Sequence, residues 1–125
     1  MQSIHTDKAP AAIGPYSQAI CVDSLLFTSG QIALKPDGSE EVLSQGVEAQ
    51  TKQVLQNLQN VLEAGGSGLD KVIKTTIFLT DMKDFGVVNR VYGEFFGSHR
   101  PARSTVAVKT LPKNALVEIE AIAKV

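Results

Sequence analysis

The sequence has little of several things, and each shortage excludes something. Among 125 residues there is one cysteine, Cys21, and there is no tryptophan. A single thiol allows no internal disulfide and no cysteine-based metal cluster. His5 and His99 are the only two histidines and nothing pairs them, so no metal and no organic cofactor is expected. No apolar run nears the ~20 residues that span a bilayer. The N-terminus also lacks the basic-then-apolar pattern of a secretory signal. Together with the missing disulfides, this points to a cytoplasmic protein without membrane contact. Charge of one sign is absent too. Twelve Lys and Arg stand against thirteen Asp and Glu, a net charge of -1, so nothing draws the chain electrostatically to nucleic acid. The one small basic cluster, His99, Arg100 and Arg103, has no interleaved aromatic residues. Internal repeats, low-complexity segments and linkers are missing as well.

What is present fits one soluble globular domain, residues 1–125, with 43% hydrophobic and 20% charged residues. Met1 to Gly14 reads as a short edge strand and a loop. The run YSQAICV after Pro15 and the run LLFTS from Leu25 form a hairpin around Asp23-Ser24, ended by Gly30. Ser44 is expected to cap a first helix whose Val47, Thr51, Val54, Leu55, Leu58, Val61 and Leu62 repeat at helical spacing. Gly65-Gly66 stops it. The β-branched run Lys71–Thr80 predicts a central strand. Asp81 or Asp84 caps a second helix with Phe85, Val88, Val91, Tyr92, Phe95 and Phe96 on its apolar face, and Gly97 ends it.

The chain's most informative stretch follows, Arg100 to Glu120. It predicts two antiparallel strands, Arg103–Lys109 and Leu116–Lys124, joined by a loop containing Pro112. Ser104, Val106 and Val108 alternate with Arg103, Thr105 and Ala107, and Val117, Ile119 and Ala121 alternate with Glu118 and Glu120. If the valine- and isoleucine-rich faces turn to the core, Arg103, Thr105, Glu118 and Glu120 share the opposite face. The order β-β-β-α-β-α-β-β predicts an α+β sandwich, a mostly antiparallel sheet with two helices on one face. The uncovered face is half apolar, which calls for a second copy of the chain.

Arg103 offers a planar fork that fits a carboxylate through two parallel hydrogen bonds. From the residues alone it either holds a ligand or balances Glu118 and Glu120. The latter two lie ~6.6 Å apart along one strand face; one can position a water, or both can be structural. Tyr16 behind Gly14-Pro15 is either a core ring or a cleft ring. Gly30, after Ser29, allows close backbone approach. Gly65-Gly66-Ser67-Gly68 follows a helix and lacks Lys-Ser/Thr, so it is not a phosphate loop.

Four stretches resemble the RidA family of reactive-intermediate deaminases (YjgF/UK114): APAAIGPYSQA from Ala9, FTSGQI from Phe27, DFGVVNRVY from Asp84, and PARSTVAVKTLPKNALVEIE from Pro101. The last matches the family's C-terminal signature throughout. The resemblance implies a chorismate-mutase-like (ferredoxin-like) fold and a homotrimer with clefts between subunits. It also implies hydrolysis of small 2-imino acids, such as 2-iminobutanoate and 2-iminopropanoate, to 2-keto acids and ammonia without a cofactor. By position, Arg103 matches the carboxylate-binding arginine and Glu118 the glutamate associated with the water. Tyr16, Ser29, Gly30 and Asn89 match residues lining the cleft. Thr105 stands where many members carry cysteine, and its hydroxyl is a further substrate contact. The alternatives are a trimer that binds 2-keto acids without catalysis, and an endoribonuclease or translation inhibitor.

Overall fold

Two amphipathic helices decide which side of the sheet becomes the inside. In the computed structural model, which describes Met1–Val125, α1 (Val47–Ala64) and α2 (Phe85–Phe96) pack on each other and on one face of a six-stranded sheet. The strands are β1 (Gln2–Ile4), β2 (Ala19–Val22), β3 (Leu25–Thr28), β4 (Val72–Leu79), β5 (Ala102–Ala107) and β6 (Val117–Lys124). Their spatial order is β1-β2-β3-β6-β4-β5. All pairings are antiparallel except β4 with β5. The α+β class, the covered face and the mostly antiparallel sheet are therefore as the sequence predicts.

The core lies between sheet and helices. Val54, Leu55, Leu58, Val61 and Leu62 of α1 meet Ile77, Leu79, Val117 and Ile119, all fully buried. Burying each such side chain contributes roughly 1.5–3 kcal/mol. α1 stops where Gly66 takes a left-handed φ of 82°. At Gly65 a Cβ would come within 2.6 Å of Leu26, so the close approach of helix end and sheet excludes a side chain there.

Three expectations are corrected. Ser44 does not cap α1; it ends a 3-10 turn (Glu41–Ser44), and Gly46 precedes the helix. β5 and β6 are antiparallel in direction but are not neighbours, because β4 lies between them. Alternation along a strand reports its face, not its partner, and the parallel crossover through α2 is invisible to it.

The third correction matters most for function. Arg103 pairs with Thr75, and Thr105 with Ile77. Both partners are buried beneath α2, so Arg103 and Thr105 sit on the helix side. Glu118 pairs with Phe78 and Glu120 with Thr76 on the open side. The valine-rich face of β5 is also reversed, since Val106 pairs with Phe78 and is 43% exposed. The open face thus carries Phe27, Phe78, Val106 and Ile122 beside the two glutamates.

Candidate functional site

The site begins with an irregularity in β3. Phe27 pairs with Ile122, but Gln31 pairs with Ile119, so the β3 side holds one residue more than β6. This is a bulge over Thr28-Ser29-Gly30. The Thr28 hydroxyl accepts the Ala121 N–H at 3.0 Å, which fills the gap in the ladder. The bulge brings Gly30 against Glu118: a Cβ on Gly30 would lie 2.8 Å from Glu118 Cδ and 2.9 Å from its Oε2. A side chain at this position would have to push the Glu118 carboxylate aside, and φ plays no part in that.

Ser29 is spent on the scaffold. Its N–H donates to Gln18 O at 2.9 Å and its Oγ–H to Ser17 O at 2.5 Å. These two bonds hold the chain just after Tyr16, whose ring is 53% exposed and is not a core residue. Gly14, with φ 117°, makes the turn before it.

Tyr16, Ser29, Gly30 and Glu118 line one cavity of about 450 Å³, with Pro10 and Lys113 among its other walls. Glu118 is half-buried there, and its carboxylate makes no hydrogen bond or ion pair within the chain. Burial, and then the neighbouring Glu120 charge, push its pKa above the ordinary carboxylate value. A carboxyl of raised pKa facing a cavity is a stronger base than an ordinary carboxylate and can take and return a proton.

Arg103 lies in a second depression with Asn89, Tyr92 and Arg100. Its Nη1 donates to Asn89 Oδ1 at 2.8 Å. The guanidinium sits 4.9 Å from the Tyr92 ring centre and 5.4 Å from that of Phe85, over both faces. Tyr92 is itself fixed, since its hydroxyl and that of Thr75 are 2.7 Å apart in the buried layer. Arg103 forms no ion pair, so it does not balance Glu118 or Glu120. One edge of its fork is held, and the rest is open to an anion.

The expected residues therefore fall into two groups. Tyr16, Ser29, Gly30 and Glu118 come together; Arg103 and Asn89 come together; the two groups are on opposite sides of the sheet. Thr105 lines neither depression and is half-buried beside Ile77. Sequence reasoning missed the aromatic platform under Arg103, although Phe85 and Tyr92 stand in the α2 pattern. It also missed Lys113, whose left-handed φ of 55° turns the loop at the cavity wall. Its Nζ pairs with Glu40 at 3.2 Å.

Comparison with known proteins follows the same lines. The family model described as endoribonuclease L-PSP matches residues 6–125. The chain is 49% identical over 120 residues to the mouse 2-iminobutanoate/2-iminopropanoate deaminase, covering 96% of this chain and 88% of that protein. It is similar to the crystal structure of RidA from an Antarctic Psychrobacter, with TM-score 0.94 and 42% identity over the whole of both chains. It is also similar to E. coli TdcF with bound serine, with TM-score 0.93, 41% identity, 100% of this chain and 99% of that one.

Proposed function

The chain belongs to the endoribonuclease L-PSP family and is similar by sequence and fold to a bacterial RidA, and from that premise we propose that it hydrolyses 2-imino acids to 2-keto acids and ammonia. One observation carries this reading: an unpartnered carboxylate of raised pKa faces a cavity, while an arginine with part of its fork unused waits in another. A 2-imino acid needs both. Its carboxylate suits the Arg103 fork. Its C=N carbon needs a water held at attack distance.

Glu118 accepts a proton from that water as the oxygen bonds to the imine carbon, and the C=N π pair moves to nitrogen. The proton passes to nitrogen. The carbinolamine hydroxyl then gives its proton to Glu118, which passes it to the amino nitrogen; the C–N bond breaks, its electron pair leaves with ammonia, and the oxygen becomes the keto group. Atoms balance with water as the only co-reactant. Imines hydrolyse unaided, so positioning alone supplies a useful gain. The bound serine of the E. coli relative, a small molecule with a carboxylate, fits the same reading.

Arg103 and Glu118 cannot both touch a three-carbon acid within one chain, because the sheet separates them. The reading therefore requires a homo-oligomer in which Arg103 of one protomer faces Glu118 of the next, with a homotrimer as the proposed state. The apolar open face gives such an assembly its adhesive surface.

The test generates 2-iminopropanoate or 2-iminobutanoate in situ and follows its loss. Arg103→Lys keeps the charge but loses the fork, so it should weaken 2-keto acid binding nearly as much as Arg103→Ala, by about 30- to 150-fold. Glu118→Gln should spare that binding and slow hydrolysis. Wild-type turnover by Arg103→Ala would overturn the assignment.

A further inference from the structure

Within one chain, before the next protomer's Arg103 faces Glu118 across it, the 450 Å³ cavity is larger than a three-carbon acid needs. Its surplus faces an apolar wall made by Pro10, Ala11 and Ile13, and Ile13 stands 76% exposed at that rim. The wall belongs to a loop with no regular structure. No backbone N–H or C=O of residues 6–13 bonds to another backbone group. Side chains hold the loop in place of backbone bonds, and one of them reaches three of its residues.

That side chain is Gln18, 2% exposed, just before β2. Its Oε1 accepts the Thr6 N–H at 2.7 Å. Its Nε2 donates to Pro10 O at 2.8 Å, to Thr6 O at 3.1 Å and, more weakly, to Ala9 O at 3.4 Å. One amide thus stands in for the missing backbone ladder. Two further side chains outside the loop reach it: Asn60 of α1, whose Nδ2 donates to Lys8 O at 2.8 Å, and the exposed His5, whose Nε2 lies 3.2 Å from Asp7 Oδ1. Gln18 is anchored in turn through its carbonyl, which accepts from Ser29 N–H beside Gly30. The wall is therefore set in register with the bulge that places Glu118.

We infer that Gln18 is a positioning residue and that the Pro10–Ile13 wall it fixes selects 2-imino acids with branched or long apolar side chains over the alanine-derived one. The inference rests on the proposed hydrolysis for its substrate class, but its geometry can be read by binding alone. A methyl group leaves the wall untouched, whereas an isobutyl group fills the surplus space against it.

The experiment compares the wild type with Gln18→Glu and Ile13→Ala. Glutamate keeps the length of Gln18 but, ionised, has no N–H for the three carbonyls. Imines are made in situ from alanine and leucine by an amino-acid oxidase with catalase. Binding of pyruvate and 4-methyl-2-oxopentanoate is measured by calorimetry. The leucine-over-alanine ratio of kcat/KM, and the matching ratio of keto acid affinities, should each fall about 10-fold in both variants. The loss should sit in KM for the leucine-derived imine, with kcat for the alanine-derived one nearly unchanged. A merely structural role would lower both substrates together. Should Gln18→Glu fail to fold, Gln18→Met, which keeps the volume and drops the bonds, takes its place. Ratios unchanged in either variant overturn the inference, even while both imines are hydrolysed. A wild type that discriminates the keto acids through this wall but hydrolyses neither imine sinks the proposed activity and leaves the wall standing.

Discussion

At the scale of single residues, Glu118 ties function to stability with opposite signs. Its raised pKa means the folded state holds the proton more tightly than the unfolded chain does. The stabilisation this gives is fully present below the ordinary glutamate value of ~4.3 and is lost as pH rises through the raised value. At neutral pH the ionised side chain therefore costs stability. Glu118→Gln should raise the melting temperature at pH 7, and the gain should vanish in acid below the ordinary value. A melting temperature lower than wild type at neutral pH would refute this. Gly30→Ala separates the two properties differently. The added Cβ meets only the tip of a flexible side chain, so thermal stability should stay close to wild type. That tip is the Glu118 carboxylate, so kcat for imine hydrolysis should fall about 10- to 100-fold. Full activity in Gly30→Ala would show that the carboxylate's position is unimportant.

At the scale of elements, the sequence pattern and the structure agree on the elements that local chemistry marks, though not on the Ser44 cap. Apolar spacing marks α1 and α2, β-branched residues mark β4, and Asp23-Ser24 marks the β2–β3 hairpin. They part where pairing is long-range. β5 is an edge strand joined to β4 in parallel, and its valines face the open side while its arginine stacks on two aromatic rings of α2. Nothing in an alternating Arg-Ser-Thr-Val run distinguishes that choice from its reverse. The site was legible by residue identity, through motifs, but its division between two faces was not. A different long-range tie holds the cavity's inner wall. Asn57 of α1, fully buried, donates to Ile32 O at 3.2 Å and Leu34 O at 2.8 Å. Its Oδ1 accepts from Gln53 at 2.9 Å. Asn57→Leu leaves Leu34 O without a donor, while Ile32 O keeps only the Leu34 N–H, and should cost about 1–3 kcal/mol in urea unfolding. Because Ile32 and Leu34 line the cavity, KM should rise as well. An unchanged unfolding midpoint would mean that water replaces the amide.

At the scale of the whole molecule, the open face is the surface that the proposed assembly would cover. Phe27 and Val106, at 40% and 43% exposed, flank the partly covered Phe78 and Ile122. Light scattering should give about three times the chain mass of 13.4 kDa. A persistent monomer at micromolar concentration would remove the basis for a shared cleft.

The placement of Arg103 and Glu118 on opposite sides of β4 and its neighbours has a genetic consequence. In the proposed shared cleft, two alleles, one lacking the arginine and one lacking the glutamate, should each be silent when alone. Unfolded together and refolded at equal dose, they mix at random, and about one cleft in four receives its arginine from one parent and its glutamate from the other. Two inactive preparations should thus recover roughly a quarter of wild-type turnover on mixing. A double mutant refolded with wild type gives the reverse, since turnover falls from the half expected of dilution to about a quarter. Heterozygous cells would read the same geometry as complementation within a single gene.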